Sequence, residues 1–305
     1  MYRIRFHGRG GQGMKMASHI LGTALFLADF EVQDAPRFGA ERRGAPIFAY
    51  VRADTKNINE RGVINAPDLV IVADDSLVTL PQAGVLTGVE EHTVLFIASR
   101  EDAVVWQQRL ALSCPVLSMD IVGNDMRGSG GQKFFGTICA GAAAALTGLV
   151  EREHLEEAIE TELQHFSQDI LEENRTRALA AYDAMFIHQG LVVEGTARSA
   201  RNYQRPEWVI IPTDDAHISA PVIHGSGTST LAQTGTWRLV RPQIDADKCK
   251  GCWWVCSTYC PDSAIEVVDN KPHIQYDHCK GCMVCMVQCS AGAISQVDEK
   301  EAVIS

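Results

Sequence analysis

Apolar and polar positions along the first 190 residues follow two periods, and their succession sets the fold class. Residues 2–7 (YRIRFH) alternate in the manner of a strand and run into a glycine turn, Gly8 to Gly13. An apolar stretch of helical character follows, from about Met14 to Leu27. Ile47–Arg52 reads as a strand. So do the continuous apolar runs Leu69–Ala73 and Val94–Ala98, separated by a short helical turn. A helix over about Asp102–Leu112 precedes another strand, Pro115–Met119. Unbroken apolar strands interleaved with helices predict a sheet covered on both faces. From Lys133 to about Ile187 the pattern is that of three helices, bounded by Gly148 and by the polar stretch Ser167–Asp169. Cys114 at a strand start and Cys139 in an alanine-rich helix read as buried structural thiols. The expected architecture is a three-layer α/β domain with a largely parallel or mixed sheet over residues 1–190.

Periodicity then stops. Residues 191–240, punctuated by Pro206, Pro212, Pro221 and the run Gly225–Thr230, predict a linker or wrapping arm. Trp208 and Trp237 suggest that parts of it dock on something. Residues 241–305 form a third region with its own logic, an internal repeat. Asp247-Lys248-Cys249-Lys250-Gly251-Cys252 matches Asp277-His278-Cys279-Lys280-Gly281-Cys282, and Cys260 to Ile265 matches Cys289 to Ile294.

Cysteine placement supplies the chemistry. Eight of the ten cysteines fall between Cys249 and Cys289, in the runs C-x2-C-x3-C-x3-C-P and C-x2-C-x2-C-x3-C. These are the spacings of a two-cluster iron–sulfur module, in which the fourth cysteine of each run ligates the other cluster. One [4Fe-4S] cluster is expected on Cys249, Cys252, Cys256 and Cys289, the other on Cys279, Cys282, Cys285 and Cys260. Structural zinc is the competing use of such cysteines, but zinc ribbons do not combine a three-plus-one spacing with proline after the fourth. Three residues separate Cys252 from Cys256 where two are usual, and Ser290 replaces the proline after Cys289. The extra residue sets Trp253-Trp254 beside the first cluster.

Charge and composition exclude other classes. A formal net charge of −11 argues against nucleic-acid binding, which needs a basic surface. No apolar run approaches the roughly 18–20 residues of a membrane span, and the N-terminus lacks a signal-peptide apolar region. Clustered CxxC pairs without such a signal point to metal ligation in a reducing, cytoplasmic compartment. Within the acidic chain, Arg37, Arg42 and Arg43 stand out as a solvated loop or an anion-holding or docking loop. The turn Gly8, Gly10, Gly11, Gly13 between strand and helix has three open readings: a tight packing turn, a phosphate cradle, or a contact for a partner. A nicotinamide reading would want an acidic residue ending a second strand. Asp29 and Glu31 are near the right distance, without an obvious strand before them.

Two separated sets of residues resemble the 2-oxoacid:ferredoxin oxidoreductases. Gly8-Arg9-Gly10-Gly11-Gln12-Gly13, Gly39-Ala40-Glu41-Arg42-Arg43-Gly44 and Asn65-Ala66-Pro67-Asp68 look like the gamma subunit of that family. Thr234-Gly235-Thr236-Trp237-Arg238, Arg241-Pro242 and the eight-cysteine module look like the delta, ferredoxin-type subunit. The resemblance implies a gamma–delta fusion whose C-terminal part is a small α+β two-cluster ferredoxin-like domain. It implies decarboxylation of a 2-oxoacid, pyruvate foremost and oxalate as the alternative, on thiamine diphosphate and Mg held by alpha and beta subunits. Coenzyme A is a possible substrate of the complex, and ferredoxin is the acceptor. This chain carries no GDG…N thiamine motif, so its expected part is electron relay, with no catalytic residue of its own. Gly8, Gly10, Gly11, Gly13, Arg42 and Arg43 are the candidate cofactor-binding residues. An independent NAD(P)H-linked iron–sulfur reductase is the reading from another class.

Overall fold

A computed structural model describes residues 1–37, 44–121, 134–195 and 233–299, with the side chains of 36 and 37 left aside. The chain divides into two compact units, Met1–Arg198 and Ser199–Ser305.

In the first unit six strands form one mixed sheet. They are β1 (Tyr2–Arg9), β2 (Glu31–Arg37), β3 (Pro46–Asp54), β4 (Leu69–Val72), β5 (Val94–Ala98) and β6 (Val116–Met119). Their order is β2-β3-β1-β4-β5-β6. β1, β4, β5 and β6 run parallel, while β3 is antiparallel to both β1 and β2. Helix α1 (Met14–Leu27) follows β1, α2 (Ala103–Leu110) joins β5 to β6, and α3 (Phe135–Thr147), α4 (Arg152–Leu163) and α5 (Gln168–Met185) close the unit.

One face of the sheet packs Ile4, Phe6, Val51, Leu69, Ile71 and Phe96 against α1, α3, α4 and α5. Helix α3 is buried along its whole length, which explains why its sequence is apolar on every side. Two glycines let it approach its neighbours. A Cβ on Gly136 would stand 2.3 Å from the carbonyl oxygen of Gly13, and one on Gly141 would stand 2.0 Å from that of Ala178 in α5. Gly148 ends α3 at φ 67°, a left-handed cap that glycine adopts without a Cβ penalty.

The opposite face is half apolar and half polar. Over β4, β5 and β6, Val70, Val72, Leu95 and Ile97 pack with Leu77, Val85, Trp106 and Cys114. The cover is one helix, α2, plus single 3-10 turns at Asp75–Leu77 and Pro81–Ala83. Over β1 and β3 the same face carries Arg3, Arg5, His7, Arg9 and Arg52, each at most 3% exposed. Segments on either side of β4 cross these residues outside the sheet, so their carbonyls need donors from elsewhere. Arg5 donates to the carbonyls of Ile64 (3.2 Å) and Val85 (2.8 Å), Arg52 to that of Gly62 (2.9 Å), and His7 Nδ1 lies 3.1 Å from that of Ala83. Glu60 accepts from Arg3 and Arg52 together, which offsets their charge.

Strand β2 is the element the hydrophobic pattern does not announce. Its sequence, EVQDAPR, lies on the sheet edge, where a proline is tolerated and one side needs no partner. Asp29, near the distance for a nucleotide-binding acid, instead closes α1. At φ 63° it is the left-handed residue of a Schellman ending, with Asp29 N bonded to Phe26 O and Phe30 N to Leu25 O. The antiparallel β3 holds one side of β1, so β2 reaches the sheet through an antiparallel hairpin. A dinucleotide fold needs a parallel second strand at that stage.

The second unit is a small repeat. β7 (Val240–Ile244) pairs antiparallel with β10 (Ile294–Asp298), and β8 (Ile265–Val268) with β9 (Lys271–Ile274) through Asp269 and Asn270, both at positive φ. Between these pairs lie two short helices, α6 (Val255–Thr258) and α7 (Val284–Gln288). Its few buried side chains include Cys256, Ile265, Cys285 and Ile294, too small a core to hold such a fold alone. Among the described residues, no helix is long and apolar enough to cross a membrane.

Candidate iron–sulfur centre and glycine turn

Equivalent hydrogen bonds build the two cysteine loops. Cys249 N donates to Asp245 O (3.1 Å) and Cys279 N to Gln275 O (3.0 Å). Asp245 N reaches Ala293 O and Gln275 N reaches Ala264 O, both at 2.8 Å, so each loop is tied to the end of the other half. Gly251 and Gly281 turn at φ 60° and 66°. The last cysteines match too. Ala264 N donates to Cys260 Sγ at 3.3 Å and Ala293 N to Cys289 Sγ at 3.2 Å. Such N–H···S bonds raise the potential of a cluster held there.

The extra residue of the first run is absorbed before the helix. Trp254 and Met283 both precede a helix with left-handed backbone, at φ 54° and 62°. Cys256 and Cys285 then take the second position of α6 and α7, and both are buried. The insertion is Trp253, a second consecutive left-handed residue at φ 54°. Cys256, the ligand that the spacing put in question, occupies the position equivalent to that of Cys285.

Cys249, Cys252, Cys256 and Cys289 line one pocket with about 370 Å³ of free space, part of it open to solvent. Ile244, Ile294 and Trp254 form its apolar walls. Burial raises the Cys256 thiol, and neighbouring Cys249 and Cys252 raise it further. Burial also raises Cys279 and pushes Cys285 up to about 11, with Cys260 and Cys282 adding to the rise in both. Cys289 of the second run thus shares a pocket with three cysteines of the first, and Cys260 of the first run lies within electrostatic reach of Cys279 and Cys285 of the second. Thiols gathered this way resist ionisation until a cation supplies countercharge. Among the described residues, no three His, Cys, Asp or Glu side chains converge on the point a single metal ion would occupy. Four cysteines lining one pocket are the donor set that an iron–sulfur cluster takes.

The segment before β7 clamps the second loop. Thr234 Oγ1 donates to His278 O (2.7 Å), Gly235 N to Asp277 O (2.8 Å) and Arg238 to Cys279 O (2.8 Å) and Tyr276 O. Arg238 also grips Glu299 with two bonds of 2.7 Å. Gly235 is required there, since a Cβ would stand 2.2 Å from Tyr276 O.

The glycine turn is packed from within. Gln12, 1% exposed, accepts from Arg9 N (2.7 Å) and donates to Asp74 (3.1 Å). Gly8 lies under Met14, and Gly13 starts α1 at φ 76° against Gly136. Gly10 exchanges backbone bonds with Gly44 and Ala45, which holds the turn against β3. Gly11 has open space around it. Arg42 and Arg43 lie outside the described residues, as do Trp208 and the rest of 196–232. Cys114 and Cys139 are buried as expected, and burial pushes the Cys139 thiol up to about 12.

Comparison with known proteins supplies the family. The pyruvate ferredoxin/flavodoxin oxidoreductase family matches residues 3–184. The chain is 36% identical over 186 residues to the pyruvate/ketoisovalerate oxidoreductases common subunit gamma of Pyrococcus furiosus, spanning 60% of this chain and 96% of that one. It is 35% identical over 191 residues to pyruvate synthase subunit PorC of Methanocaldococcus jannaschii, spanning 62% and 100%. Among solved structures, pyruvate oxidoreductase subunit PORC of Thermotoga maritima shares 28% identity at a TM-score of 0.48, over 60% of this chain and 95% of that one. The chain belongs to the pyruvate ferredoxin/flavodoxin oxidoreductase family. The cysteine repeat lies beyond the matched residues.

Proposed function

We propose that this chain is a gamma–delta fusion subunit of a thiamine diphosphate-dependent 2-oxoacid:ferredoxin oxidoreductase, with pyruvate as the substrate of the complex. Its residues 241–305 form a ferredoxin-like domain holding two [4Fe-4S] clusters, joined through residues 191–240 to the gamma-type domain of residues 1–190. One observation carries this reading: Cys289, from the second run, lines the same pocket as Cys249, Cys252 and Cys256. Family membership of the first unit and the gamma-subunit names of its relatives support it. In this assignment the carbon chemistry belongs to separate catalytic subunits. When bound, the clusters supply one-electron carriers, and this chain's residues set their surroundings. Ala264 and Ala293 donate to ligand sulfurs, Ile244, Ile294 and Trp254 exclude water, and the Arg238–Glu299 clamp fixes the second loop. Gly11, with Arg42 and Arg43, is the candidate contact toward the catalytic subunits or coenzyme A.

The test is anaerobic purification of the native complex. About eight iron and about eight labile sulfide per chain are expected from two cubanes, together with co-purifying catalytic chains and pyruvate-dependent dye reduction. NADH oxidation by the isolated chain, without those partners, would overturn the assignment.

A further inference from the structure

The two halves of the cysteine unit match in backbone and differ in charge. In the second loop Lys280, the residue after Cys279, is ion-paired with Asp262, two residues after Cys260. In the first loop the equivalent lysine is Lys250, and the position equivalent to Asp262 is Ala291. Lys250 and Ala291 both line the pocket of Cys249, Cys252, Cys256 and Cys289. Lys250 is exposed, and no described residue pairs with it. Lys248 is already held by Asp245 at 2.9 Å, so Lys250 is the exposed cation of this loop without a described partner.

Three residues on stands Trp253. It is 93% exposed and sits at φ 54°, a conformation that costs a bulky side chain energy. Trp254 covers the loop, with its ring 3.0 Å from where a Cβ on Gly251 would be. Trp253, by contrast, gains no such packing among the described residues. An exposed indole three residues from an exposed cation supplies an aromatic anchor and a steering charge for a docking contact. The second loop differs again: its Cys282 is exposed, whereas the equivalent Cys252 is partly covered.

Resting on the two-cluster reading above, we propose that Lys250 and Trp253 form the landing point for the electron acceptor, a small acidic redox protein. The chain's overall charge of −11 would repel such a partner, so a local cation at the rim is what orients it. Transient redox encounters use small, charged contacts of this kind.

The experiment measures binding by surface plasmon resonance at low ionic strength. The holo complex is immobilised, and a small acidic two-cluster ferredoxin is the probe. Lys250→Glu and Trp253→Ala should each weaken affinity about tenfold, as loss of a steering charge or of an aromatic anchor does. Lys280→Gln should leave it within about twofold, as expected for a charge already paired. Unchanged affinity in Lys250→Glu overturns the proposal, and so does an equal loss in Lys280→Gln. Low-temperature EPR on the same samples separates the causes. Two cluster signals with unchanged binding sink the landing point alone, whereas no signal in the parent protein sinks the two-cluster reading with it.

Discussion

Gly141→Ala tests the close packing of α3 on α5 by the sign of its effect. In an open helix this change stabilises by about 1 kcal/mol, because alanine is the better helix former. At Gly141 the new methyl would lie 2.0 Å from the oxygen, 2.9 Å from the carbon and 3.2 Å from the Cα of Ala178. All three are backbone atoms, so no side-chain rotation relieves the contact. Reaching ordinary contact at 3.4 Å takes a displacement of about 1.4 Å between the helices. A gap of about 0.5–1 Å already forfeits a quarter to a half of each dispersion contact along it. The cost is then about 3 kcal/mol, at the upper end of overpacking, leaving about 2 kcal/mol of net destabilisation after the propensity gain. At about 2–4 °C per kcal/mol for a unit of this size, Tm should fall by about 4–8 °C. Circular dichroism at 222 nm follows the transition, because the long helices lie in the first unit. A Tm equal to or above that of the parent would refute the packing argument.

Burial, reinforced by Arg5, pushes the His7 imidazole from 6.5 down to about 3, so the folded protein keeps it neutral. The unfolded chain takes the proton first as pH falls. Stability from this group is therefore full above about pH 6.5 and lost at about 1.4 kcal/mol per unit toward pH 3. His7→Gln should flatten that slope in urea titrations across pH, and parallel slopes for the two proteins would remove His7 from the account. Iodoacetamide should leave Cys139 unlabelled in the native protein, given its full burial and raised thiol, and label it once guanidinium unfolds the chain. Labelling in the native state would contradict the packing of α3. Deleting Trp253 should preserve iron content, because Cys256 and Cys285 already occupy equivalent positions. Loss of half the iron would show that the insertion positions a ligand.

Much of the architecture is legible in the sequence because its signals are local. The unbroken apolar runs at Leu69 and Val94 are sandwiched strands, and Gly148 and Ser167 bound helices because a left-handed cap and an extended N-cap favour those residues. Alternation in β1 is equally plain. What it does not reveal is that the polar side is buried, since arginines facing water and arginines facing loop carbonyls give the same pattern. Only the register of Arg3 against Arg52, with Glu60 shared between them, exposes that layer. β2 is missed for the opposite reason: an edge strand needs few apolar residues. At the cysteine repeat, spacing carries the ligand set. The fate of the extra residue depends on two backbone angles, and the charge difference between the loops needs the Lys280–Asp262 contact to be seen.

Cys289→Ser probes the central claim most directly. The full chain is reconstituted with iron and sulfide, alkylated under anaerobic conditions and mapped by mass spectrometry. Crossed ligation requires that Cys249, Cys252 and Cys256 become labelled while Cys260, Cys279, Cys282 and Cys285 stay protected. Labelling of Cys279, Cys282 and Cys285, with the first run still protected, would contradict it.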